Sequence, residues 1–83
     1  MIRFTSPGWE DYVSWVGDRK TLTRINRLIG EASRDPGHGT GKPERLKGDL
    51  SGYWSRRIDQ THRLIYTINK DGDLVIVQAR YHY

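Results

Sequence analysis

The chain contains no cysteine. That excludes disulfide staples, thiol nucleophiles and thiolate zinc sites together, and it makes a reducing cytoplasm the expected location. Long apolar runs are missing as well. The longest, Leu74–Val77, has four residues, against the roughly 18–20 that a membrane-spanning helix requires. No charged-then-apolar leader precedes a small-residue cleavage site, so secretion is not expected. Apolar residues make up 35% of the 83 positions and mean hydropathy is −0.79. A chain of this size is expected to form one domain, residues 1–83, that buries about 60–65% of its unfolded surface and has a thin stability margin.

Several catalytic signatures are equally absent. His38, His62 and His82 match no helical metal-ligand spacing, so no metal or other cofactor is expected. No G-x-S-x-G elbow surrounds any serine. The stretch Gly37-His38-Gly39-Thr40-Gly41-Lys42 hints at a phosphate loop. However, Pro36 stands where that motif needs glycine, and Pro43 where it needs serine or threonine. A flexible loop over Asp35–Pro43, with His38 solvated in it, fits the three glycines and two prolines better.

Positive charge is what the sequence has in abundance. Lys and Arg number 14 against ten Asp and Glu, giving a net charge of +4, and ten of the cations are arginine. Arginine forks onto phosphate through two parallel hydrogen bonds, so nucleic acid or an acidic protein is a natural partner.

The patterning reads β-α-α-β-β-β. Met1–Phe4 is a short strand. Ser6-Pro7 supplies an N-cap and first turn for a helix carrying Trp9, Tyr12, Val13 and Val16 at i, i+3, i+4 and i+7, ended by Gly17. Asp18 caps a second helix whose inner face is Leu22, Ile25, Leu28, Ile29 and Ala32, with Arg19, Lys20, Arg24, Arg27 and Arg34 opposite. Tyr53–Ile58, His62–Ile68 and Leu74–Tyr81 alternate with period two, and the last, being most apolar, is expected near the sheet's centre. Trp9 and Trp54 read as core and Trp15 as the edge of its helical stripe. The fold class is therefore α+β, two N-terminal helices packed on one face of a small, mainly antiparallel sheet.

Alternation then sorts the sheet residues by face. With Leu64, Tyr66 and Ile68 toward the helices, Arg63 projects from the other side, as do Arg57 and, by the same count, Arg80 and His82. Glu44 sits among Lys42, Arg45 and Lys47, neighbours that favour its ionised form. A carboxylate base, guanidinium groups for a charged transition state and an imidazole acid are the parts needed to cleave RNA through its own 2′-hydroxyl. Tyr83 suits either stacking on a base or packing in the core. The same residues also suit plainer duties, with Glu44 balancing local charge and His82 ending a strand. Spacing alone does not choose between the two.

The run Gly41-Lys42-Pro43-Glu44, Leu46-Lys47, Leu50-Ser51-Gly52-Tyr53-Trp54-Ser55-Arg56-Arg57-Ile58, His62-Arg63-Leu64-Ile65-Tyr66 and the ending Arg80-Tyr81-His82-Tyr83 resembles the YoeB toxins of the RelE superfamily. The likeness extends to Trp9-Glu10-Asp11-Tyr12, with Arg45 as the local departure. The resemblance implies a RelE-like fold and a ribosome-dependent endoribonuclease that cuts mRNA in the A site of the 70S ribosome without a metal. It implies Glu44 as general base, Arg63 as transition-state stabiliser and His82 as general acid. Lys47 and Arg57 would contact phosphate, and Tyr83 would hold the RNA. A YefM-like antitoxin and a homodimer are the protein partners implied. The alternatives are a non-catalytic toxin that binds a protein target, as ParE-type relatives do, and a plain RNA-binding module.

Overall fold

The computed structural model describes residues 1–81, so His82 and Tyr83 lie outside the described residues. Strand β1 (Ile2–Phe4) leads into helix α1 (Ser6–Val13), then α2 (Arg19–Arg34), β2 (Glu44–Arg45), a 3₁₀ turn (Gly48–Leu50), β3 (Tyr53–Arg57), β4 (Arg63–Ile68) and β5 (Leu74–Gln78). The sheet order is β1-β5-β4-β3-β2. Among the described residues β1–β5 pairs in parallel and the other three pairings are antiparallel. The expected α+β architecture is present, with one strand more than the periodicity revealed. β2 is two residues long, too short to leave a pattern. β4 takes the middle of the sheet, and β5 lies inside it between β4 and β1.

Helix α2 forms as its sequence demands. Asp18 caps it by accepting the Thr21 N–H at 3.0 Å, and Ile25, Leu28, Ile29 and Ala32 are buried. They pack with Leu64, Tyr66, Leu74, Ile76 and Ala79 of the sheet side of the core, with Leu22 half-buried beside them. Each large side chain in that set contributes about 1.5–3 kcal/mol on leaving water.

Helix α1 departs from expectation. Thr5 rather than Ser6 is the N-cap, its hydroxyl accepting the Gly8 N–H at 3.1 Å. The helix ends at Val13, where the Ser14 hydroxyl bonds the Asp11 carbonyl, a local competitor of the helical ladder. Helical spacing therefore stops short of Trp15, which turns into the core, 7% exposed, while Trp9 is 51% exposed. The two tryptophans exchange the places their positions in the sequence suggest. Trp54 is half-buried against the core, as expected.

α1 also closes the edge of β5 beyond β1. The Thr5 N–H donates to the Ile76 carbonyl, the Ala79 N–H donates to the Asp11 carboxylate at 3.0 Å, and the Trp15 indole donates to the Ala79 carbonyl at 2.8 Å. These bonds satisfy backbone groups that an open edge leaves unpaired. The approach is so close that a Cβ on Gly8 would overlap the Ile76 carbonyl oxygen.

One irregularity changes which residues share a face. Ile65 and Tyr66, neighbours on β4, pair with Gln78 and Ile76, so Val77 is an extra residue on β5. Simple alternation would put Ile76, Gln78 and Arg80 together. The extra residue instead leaves Ile76 and Ala79 in the core and Gln78 across from Ile65. Arg80 does not project beside Arg63. Its guanidinium lies 3.9 Å from the Trp15 ring and donates to the Ser14 hydroxyl at 3.0 Å.

Candidate active site

The face of the sheet turned away from the helices is set by register. Glu44 of β2 stands opposite Ser55 of β3, Ser55 opposite Ile65 of β4, and Ile65 opposite Gln78 of β5. Two residues along, Arg57 and Arg63 stand opposite each other. Directly paired residues of an antiparallel ladder point to one face. Glu44, Arg57 and Arg63 therefore share it. Two interstrand spacings and two residues of strand rise put the Glu44 and Arg63 backbones about 12 Å apart, with Arg57 between them. Ser55 and Ile65, which share this face, are buried. Arg63 Nε is buried as well and has no hydrogen-bond partner among the described residues, and the same is true of Ser55 Oγ.

The glycine-rich segment, residues 35–43, presents Glu44, and the structure shows what shapes it. Arg56 is fully buried and donates to Tyr66 Oη at 2.9 Å, to the Thr40 carbonyl at 3.0 Å, and to the Asp35 and His38 carbonyls at 2.8 and 2.7 Å. Tyr66 Oη in turn donates to the Pro36 carbonyl at 2.6 Å. Burial pushes the Tyr66 phenol up from its ordinary value, although the Arg56 bond opposes this. From α2, Glu31 accepts the Thr40 N–H at 2.6 Å and its hydroxyl at 3.0 Å. The Thr40 N–H, then the Arg27 guanidinium and the Thr40 hydroxyl, lower the Glu31 carboxyl to about 2. The loop is thus anchored rather than free. Gly41 closes it: φ is 89°, its carbonyl accepts the Arg57 N–H at 2.7 Å, and a Cβ would press on Leu28 and the Arg57 carbonyl.

Adjacent arginines on β3 thereby divide the labour. Arg56 points into the core and ties down the loop that ends at Glu44; Arg57 points out on the Glu44 side. Arg57 is expected on this face from alternation, whereas the anchoring part of Arg56 is not expected. The signal available was Arg56's register with core residue Leu64, which one strand alone does not show.

Lys47 follows β2 and lines a groove with Glu44, Arg45 and Leu46, so it lies near the proposed base. The Arg45 guanidinium lies 5.0 Å from the Trp54 ring. His38 is solvated, as expected, and its ring pairs with Asp35 at 3.0 Å. The expected acid His82 and the expected RNA contact Tyr83 lie outside the described residues. Tyr81, which precedes them, is beside the site: its carbonyl accepts the Arg63 N–H at 3.0 Å. Among the described residues no group of three or more His, Asp or Glu side chains converges as metal ligands do, and no helix is long and apolar enough to cross a membrane.

The family model describing a "YoeB-like toxin of bacterial type II toxin-antitoxin system" matches residues 4–83. A toxin of Streptomyces coelicolor named Toxin YoeB is 70% identical, over 99% of this chain and 98% of its own. Among solved structures, the YoeB–YefM complex from Staphylococcus aureus superposes with a TM-score of 0.90 at 40% identity, covering 100% of this chain and 97% of that one. The YoeB dimer from the same organism gives 0.88 at 42% identity, over 99% and 95%. A single family accounts for the sequence of residues 4–83 and for the fold of the described residues, and the chain belongs to the YoeB-like toxins of bacterial type II toxin–antitoxin systems.

Proposed function

We propose that the toxin is a ribosome-dependent endoribonuclease, formed by the one domain of residues 1–83, that cuts mRNA in the ribosomal A site and so stops translation. The observation that carries this reading is the common face of Glu44, Arg57 and Arg63. Glu44 takes the proton from a 2′-hydroxyl, whose oxygen attacks the adjacent phosphorus. Arg63, aided by Arg57 and Lys47, stabilises the extra negative charge of the phosphorane. The bond to the 5′-oxygen breaks as His82 supplies its proton, leaving a 2′,3′-cyclic phosphate on the upstream fragment. Tyr83 stacks on a base and holds the strand.

Dependence on the ribosome follows from what such a site lacks. Glu44 and Arg57 are exposed and the domain is small, so little in it forces the attacking oxygen, phosphorus and leaving oxygen into line. Orientation can lower a barrier by several kcal/mol (roughly 7–11 at the upper end), and a message bent in the decoding site supplies it. The Staphylococcus aureus complex and dimer support a YefM-like antitoxin and a second copy of the chain as protein partners. The cytoplasm is the compartment in which all of these meet.

Mapping message ends on programmed 70S ribosomes tests the reading. Wild type is expected to cut at the A-site codon and to leave naked message largely intact. Glu44→Gln and His82→Ala are expected to bind ribosomes and to cut roughly 10²-fold more slowly, the usual span of one acid–base group. Equal cutting of free and ribosome-bound message overturns the ribosome dependence. Full growth inhibition by both variants overturns the enzyme.

A further inference from the structure

We infer that His62, assisted by Gln78, is a positioning residue that sets the course of the C-terminal segment by holding the backbone of Tyr81 beside Arg63. The inference deepens the proposed function and rests on it, because that segment is the one that leads to His82.

The backbone of His62 is fixed by its turn. Asp59 Oδ1 accepts the N–H groups of Thr61 and His62 at 2.8 and 2.7 Å, and the His62 carbonyl accepts the Ile58 N–H at 3.0 Å. Its ring is fixed by the core, standing edge-on to buried Trp15 at 4.9 Å and 82°. The ring's one protein hydrogen bond among the described residues is then specific: Nδ1 accepts the Tyr81 N–H at 2.8 Å. An accepting Nδ1 places the proton of the neutral imidazole on Nε2.

Tyr81 is held from its other side as well. Its carbonyl accepts the Arg63 N–H at 3.0 Å and the Gln78 side-chain amide at 3.3 Å, and the same amide donates to the Arg80 carbonyl at 2.9 Å. The Tyr81 ring lies 5.2 Å from the His62 ring. Yet Tyr81 adopts φ of 62°, a left-handed conformation that a large side chain disfavours and that persists only where its surroundings impose it. β5 has already ended at Gln78, and beyond it the one backbone bond to β4 among the described residues is that from Arg63 to Tyr81. His62 and Gln78 add side-chain bonds to it, and they do so at the residue that touches the Arg63 backbone. Neither belongs to the proposed base, acid or phosphate contacts; both act through Tyr81.

The test separates the acceptor from the ring. His62→Phe keeps an aromatic ring against Trp15 and removes the acceptor; His62→Asn keeps an acceptor at the δ position and removes the ring. Amide hydrogen exchange at Tyr81 is read by NMR on the isolated toxin, and cleavage kinetics on programmed ribosomes. For His62→Phe, Tyr81 exchange is expected to rise roughly 10-fold, the loss of one hydrogen bond. Its kcat is expected to fall by up to about 10²-fold through misplacement of the acid, with KM within about twofold because ribosome binding is untouched. His62→Asn is expected to recover most of both losses, and Gln78→Leu to move both in the same direction by less. Should His62→Phe fail to fold, the contrast between His62→Asn and Gln78→Leu carries the test. Unchanged Tyr81 exchange in the folded variants overturns the latch. Raised exchange with unchanged kcat overturns its catalytic part, and so do equal losses in His62→Phe and His62→Asn. If wild type itself does not cut on ribosomes, the proposed function fails together with the catalytic part, while the exchange measurement still decides whether His62 holds Tyr81.

Discussion

Arg57 and Arg63 face each other directly across β3 and β4, two positive side chains at a cross-strand pair. Like charges so placed destabilise a sheet. In the proposed function a bound phosphate would reverse the sign of that term. Arg57→Gln should therefore uncouple stability from activity. Its urea midpoint is expected to be unchanged or raised, by about 0.2–1 kcal/mol, while cleavage on ribosomes falls. A clear loss of stability would show the pair to be structural.

Ionic strength gives a second check. Arginine and lysine contacts to phosphate release counterions, so the association constant for ribosomes should fall steadily as salt rises, and Arg57→Gln should flatten the slope by about one unit. An association constant that does not change with salt is incompatible with recognition led by Arg57, Arg63 and Lys47.

Glu31 supplies a pH-dependent term. Its carboxyl is ordinarily near 4.5 and is lowered to about 2 in the folded chain, chiefly by the Thr40 N–H. A carboxylate lowered by folding stabilises the native state above its unfolded value, and that contribution fades as pH falls through the folded value. Glu31→Gln is expected to melt below wild type at pH 7. The gap should narrow below about pH 4.5 and close near pH 2. Thermal melts of both proteins across that range measure it.

The contact of α1 with β5 can be probed at its tightest point. Gly8→Ala drives a methyl group into the Ile76 carbonyl, and overpacking of this kind costs about 1–3 kcal/mol. Gly17, whose added Cβ meets nothing within 4 Å, is the control, and Gly17→Ala should leave the melting temperature nearly unchanged. Equal effects of the two substitutions would mean that α1 shifts freely on the sheet.

Elements whose signals are local can be read from the order of residues alone. The face of α2 built from Ile25, Leu28, Ile29 and Ala32, the Asp18 cap, the period-two strands and the glycine-rich break are each written within a few consecutive residues. Likeness to a family was also legible, because strings such as Leu50–Ile58 and His62–Tyr66 are specific in themselves. It alone suggested a phosphate contact for Lys47, and it favoured for Arg63, His82 and Tyr83 duties that their chemistry had already offered beside plainer ones.

Tertiary structure decided everything that depends on which distant segments pair. β2 exists only because β3 lies beside it, and it places Glu44 on the Arg57–Arg63 face. One extra residue in β5 sends Ala79 inward and leaves Gln78 across from Ile65, while Arg80 lies over Trp15. Trp15 and Trp9 exchange core and surface because α1 stops at Val13, where a serine hydroxyl and the edge of β5 outweigh helical periodicity. Arg56 and Arg57 are chemically identical neighbours, and only the strand's two faces make one a buried anchor and the other a surface cation. The physical reason is the same in each case. Propensity and capping act over a few residues and are encoded where they act, whereas register, burial and closure are settled by contacts between segments far apart in the chain.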